Sequence, residues 1–109
     1  METAQKSSTE SLLRNALISV VTDSRVSLDL VAEAALLISL DARFNIWVVD
    51  LGKKQATPDE LLGAIEEYDD ITNACASAWS DFANGRSSEE ALRRAIAQSS
   101  RILEKRVAP

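Results

Sequence analysis

Glu66-Glu67-Tyr68-Asp69-Asp70 is the densest run of carboxylates in the chain. On a helix, Glu66 with Asp70, or Glu67 with Asp70, shares one face at a spacing that suits a hard cation such as Mg²⁺. Joined by carboxylates from another helix, such as Glu33 or Asp41, the run would make a Mg²⁺-dependent hydrolase. The apolar seam of the same segment passes through Ile65, Tyr68 and Thr72, however, so Glu66 and Asp70 point away from it. A solvated acidic face is the preferred reading.

Other reactive groups are scarce. The chain has no histidine, which removes the commonest general base and metal ligand. Cys75 is the only cysteine and sits on an expected apolar seam, where nothing lowers its pKa, so it reads as a buried structural thiol. Thr72 and Ser99 also fall on inward positions, with hydroxyls placed to bond carbonyls one turn back. The sequence therefore assigns no catalytic residue, no metal ligand and no cofactor, and the expectation is a protein without enzymatic activity.

Side chains suited to recognition are easier to find. Trp47, Trp79 and Phe82 lie toward the C-terminal ends of long predicted helices, where large aromatics either plug the core or anchor an interface. Arg86, Arg93, Arg94, Arg101, Lys105 and Arg106 make the last helix basic: residues 86–109 hold 6 basic and 3 acidic groups, against 6 and 14 in residues 1–85. Arg94, Arg101 and Lys105 fall roughly on one stripe. That stripe suits an acidic partner or, as a second alternative function, nucleic acid in a transcription regulator, although pairing with the acidic third helix serves equally well. The overall charge of −5 disfavours general phosphate-backbone binding. Trp47, Trp79, Phe82, Arg94 and Arg101 are the interface candidates.

The elements that position these groups are helices. A chain of 109 residues, 46% hydrophobic with three Gly and two Pro, is one domain able to bury roughly two thirds of its unfolded surface, and its composition favours an all-α fold. The expected architecture is an antiparallel four-helix bundle with helices at about 8–23, 28–51, 58–84 and 88–106. Residues 1–7 are expected to be a disordered tail, and 8–107 a single helical domain.

Ser7 and Glu10 have capping-box spacing ahead of Leu12, Leu13, Ala16, Leu17, Val20 and Val21. Ser27 and Asp29 start the second helix, which is apolar on almost every side and therefore expected to be central. Phe44–Val49 is rich in β-branched and aromatic residues and suits a strand, but its 3–4 spacing favours continued helix to Gly52, with a break near Asp41 as the competing reading. Thr57, Pro58 and Glu60 open the third helix, whose seam is Leu61, Ile65, Tyr68, Thr72, Cys75, Trp79 and Phe82. Gly85 ends it, and Ser87 with Glu90 opens the fourth, where Leu92, Ala95, Ile96, Ser99, Ile102 and Leu103 point inward.

Short connections favour up-down-up-down stacking of sequence neighbours. Helices two and three are longer than one and four and project apolar surface beyond them, which favours a homodimer built on the ends of helices two and three over a monomer whose second helix breaks near Asp41. The expected function is a small interaction protein, an adaptor, chaperone or inhibitory regulator, working through a helical surface on another protein. One cysteine, no basic leader and no apolar run near the roughly 20 residues of a membrane span place it in the cytoplasm and off the membrane.

Overall fold

Three of the four helices start at a residue whose side-chain oxygen accepts from a free backbone amide. The computed structural model describes residues 11–108 and places helices α1 (Leu12–Thr22), α2 (Leu28–Lys53), α3 (Pro58–Ala83) and α4 (Glu89–Val107), with no strand among the described residues. The all-α bundle expected from composition is the fold. Ser11 Oγ accepts from Arg14 N at 3.0 Å, and Ser27 Oγ from Leu30 N at 3.4 Å. Thr57 and Glu60 form a full capping box at 3.2 and 2.9 Å. Gly85 adopts the left-handed conformation, φ 75°, that closes α3.

Several local expectations need correcting. The proposed box at Ser7 and Glu10, like the tail at 1–7, lies outside the described residues, and the cap of α1 is Ser11. At α4 the cap position belongs to Ser88, which makes no side-chain capping bond, while the Ser87 hydroxyl is buried without a hydrogen-bond partner. The second helix does not break near Asp41, nor does it end at Gly52. It continues to Lys53, and the chain turns at Gln55, φ 62°. A buried Asp is tolerated inside it because a tyrosine hydroxyl reaches its carboxylate.

Cross-helix contacts fix the directions. Ser11 meets Tyr68, which meets Asp41; Ser27 meets Glu89; Arg106 meets both Trp47 and Glu67; Cys75 meets Ser99. Successive helices therefore run in opposite directions, with α2 parallel to α4 and α1 parallel to α3. The neighbours differ from simple sequential stacking, however. α2 packs on α1 and α4, α3 packs on the same two, and α2 meets α3 only sparsely, across the diagonal. The short link Lys54–Thr57 joins these two diagonal helices.

The core is Leu13, Leu17 and Val20 of α1, Val26 of the following link, Leu30, Ala34, Leu37, Leu40 and Phe44 of α2, Ala64, Ile71 and Cys75 of α3, and Leu92, Ile96 and Leu103 of α4. Two seam expectations shift here. Leu12 is 71% exposed, and Ile65 is 45% exposed, its expected place being taken by Ala64 and Ile71. A seam traced through the largest side chains passes over Ala64, although a methyl group is what fits where helices approach closely.

Candidate interaction surface

α2 carries two apolar seams with the same rhythm. Leu30, Ala34, Leu37, Asp41, Phe44, Val48 and Leu51 alternate at four and three residues and face the bundle: the first five are buried and the last two partly so. On the opposite side Leu28, Ala32, Ala35, Ser39, Ala42, Ile46, Val49 and Lys53 alternate in the same way, and every one of them is exposed. Leu28 is 84% accessible, Ile46 65% and Val49 56%; Leu36, beside the outer seam, is 47% accessible. The sequence reading that such a helix is central is thus corrected. Its diagonal place in the bundle covers one side only.

The exposed outer seam is a candidate surface that sequence reasoning missed. Its signal is the alternation from Leu28 to Val49, which in a helix apolar on almost every side reads equally as a buried face. Beside the seam, Arg43, Ile46, Trp47 and Asp50 of α2, with Val107 of α4, frame a shallow recess. Trp47 is partly buried, its ring 5.5 Å from that of Phe44 and its face 6.0 Å from the Arg106 guanidinium.

The other aromatic candidates lie elsewhere. Trp79 and Phe82 pack on each other at 5.9 Å near the opposite end of the molecule, where the Arg25 guanidinium sits 5.1 Å from the Phe82 ring. Because α2 and α3 run in opposite directions, their C-terminal ends are far apart, and the three aromatics do not form one patch. Arg94 and Arg101 are exposed on α4, Arg94 within 4.0 Å of Glu90. The remaining bases are largely engaged within the chain: Arg106 bonds Glu67 at 2.6 Å, Arg86 pairs with Asp81, and Arg93 lies among Glu33, Glu89 and Glu90.

No protein-family model, curated protein or solved structure matches this chain. The geometry of the site is therefore what bears on function.

The acidic residues considered for Mg²⁺ are dispersed. Glu66 and Asp70 are exposed, Glu67 is held by Arg106, Glu33 lies by Arg93, and Asp41 is buried beside Tyr68. Among the described residues no group of three or more Cys, Asp or Glu converges on one point.

Two short chains link buried and partly buried polar groups. The Tyr68 hydroxyl donates to Asp41 Oδ1, so Ser11 Oγ, 2.8 Å away, donates to the Tyr68 oxygen. The chain of donors runs from α1 through α3 to α2 and pins the three helices in register. Burial, with the Asp41 carboxylate adding to it, pushes the Tyr68 phenol above the ordinary tyrosine range. In the second chain Cys75 Sγ lies 3.3 Å from Ser99 Oγ, which donates to Ala95 O at 2.8 Å; burial raises the thiol pKa. Thr72 Oγ1 likewise donates to Tyr68 O one turn back, at 3.0 Å, as its position foretold. These groups are tied into packing, and Cys75 is 1% exposed.

Proposed function

We propose that this protein is a small non-enzymatic interaction module, an adaptor, chaperone or inhibitory regulator, that acts by occlusion or scaffolding through the outer face of α2. The carrying observation is the unbroken exposed seam from Leu28 to Val49. Leu28, Leu36, Ile46 and Val49 each retain on the order of 1 kcal/mol of apolar transfer free energy that only another surface can release. A stripe at coiled-coil spacing selects a helical surface as its complement. No helix of the described residues is long and apolar enough to cross a membrane, so a bilayer-spanning role gives no account of the seam. The lone cysteine, buried as a free thiol, fits a reducing, cytoplasmic setting.

Native mass spectrometry of the protein drawn from its own source tests this reading. The expected result is an assembly heavier than the 11.9 kDa chain, lost on introducing Leu36→Glu with Ile46→Glu while helical circular dichroism is unchanged. A species of chain mass alone from that source overturns it.

A further inference from the structure

Resting on that reading, we infer that the occupant of the outer α2 face is the same face of a second copy of this chain, paired antiparallel about a two-fold axis near residue 37. A two-fold interface brings one patch against itself, so the patch must be complementary to its own reverse. In an antiparallel helix pair the seam positions of one helix alternate with those of the other, and residues flanking the seam on one side meet the same flank of the partner helix.

The flank of the α2 seam reads Asp29, Leu36, Arg43, Asp50, all exposed. Registers that differ by whole heptads keep the seams aligned. With the axis near residue 37, Leu28 packs on Ile46 of the other copy, Ala32 on Ala42 and Ala35 on Ser39. Asp29 then faces Arg43, and Leu36 meets its own counterpart near the axis. Shifting by one heptad sets Asp29 against Asp50, places Leu36 beside Arg43 and lays Lys53 on Leu28. A parallel pair sets Arg43 beside Ile38 and leaves Asp29 without a cation. Charge selects the first arrangement, and the apolar sizes agree with it: large side chains meet toward the ends, while Ala32, Ala35, Ser39 and Ala42 let the helix axes approach closely in the middle. The contact runs from Leu28 to Ile46, about 28 Å of helix at 1.5 Å per residue.

The test uses the purified full chain in sedimentation equilibrium. The wild type is expected to dimerise to twice the 11.9 kDa chain mass. Asp29→Arg and Arg43→Asp, each alone, set like charges against each other twice per dimer and are expected to weaken dimerisation at least tenfold. An equimolar mixture of the two variants restores both opposite-charge contacts and is expected to regain wild-type affinity as a heterodimer. Leu36→Cys is expected to cross-link to itself with a short bifunctional thiol reagent, because that flank meets itself only in the antiparallel pair, while Cys75 stays buried. A wild type that remains at chain mass, a mixture no tighter than its components, or absence of the Leu36→Cys cross-link overturns the inference. Should the purified chain be monomeric while the assembly from its source is heavier and loses that mass with Leu36→Glu and Ile46→Glu, self-pairing falls and the interaction function stands.

Discussion

The two faces of α2 share a rhythm and differ in fate. Leu37 is fully buried and Leu36, its neighbour, is 47% exposed; Phe44 is 3% exposed and Ile46, two residues on, is 65% exposed. Apolar periodicity therefore states how a face can be covered and leaves open whether the same chain covers it. On the inner face, burial by α1 and α4 is coupled to folding. On the outer face, the same kind of stripe stays in solvent.

The sharpest way to break this comparison is to truncate neighbours on opposite faces. Leu37→Ala is expected to destabilise the fold by about 2–5 kcal/mol in urea unfolding, since it opens a cavity, whereas Leu36→Ala changes folding of the monomer by less than about 0.5 kcal/mol. Equal losses at both positions would place the outer face inside the folding core.

Next in size is the polar contact on the inner face. Tyr68→Phe removes the donor to buried Asp41 and the acceptor for Ser11, with an expected cost of about 1–3 kcal/mol in chemical denaturation. The same phenol gives a pH dependence. Its folded pKa is raised, so its contribution is fully present below the unfolded value near 10 and falls as pH rises beyond that. The wild type is expected to lose stability above about pH 10, and Tyr68→Phe to lose less over that interval.

A smaller effect compares two helix starts. Thr57→Ala removes a full capping box and is expected to cost about 1 kcal/mol by thermal unfolding. Ser88→Ala removes a hydroxyl that makes no capping bond, and a change within about 0.5 kcal/mol is expected.

Much of the bundle was legible residue by residue. Thr57-Pro58-Asp59-Glu60 stops and starts the chain through local hydrogen bonds, so its box could be named without knowing any neighbour. The inward hydroxyls of Thr72 and Ser99 bond their own helices one turn back, and Cys75 lies on an apolar seam; these too depend on local spacing. Ile65 was misplaced for the opposite reason. Ala64 and Ile65 differ by 100° around α3, and which of them is covered depends on where α1 and α4 lie. The Asp41–Tyr68–Ser11 chain was equally hidden, because its members are 27 and 57 residues apart in sequence.

The sequence by itself determined that the chain is helical, that Ser27 and Thr57 open α2 and α3 and that Gly85 closes α3, since caps and apolar spacing act within a few residues; it favoured helix over strand at Phe44–Val49, and the structure settled that choice. Only the tertiary structure decided that α2 and α3 lie diagonally, that Trp47 is remote from Trp79 and Phe82, and that Leu28, Ile46 and Val49 stay in solvent. Hydrophobic attraction has no direction of its own. Both sides of α2 carry apolar side chains, and the packing of α1 and α4 covers the one that holds Leu30, Leu37 and Phe44.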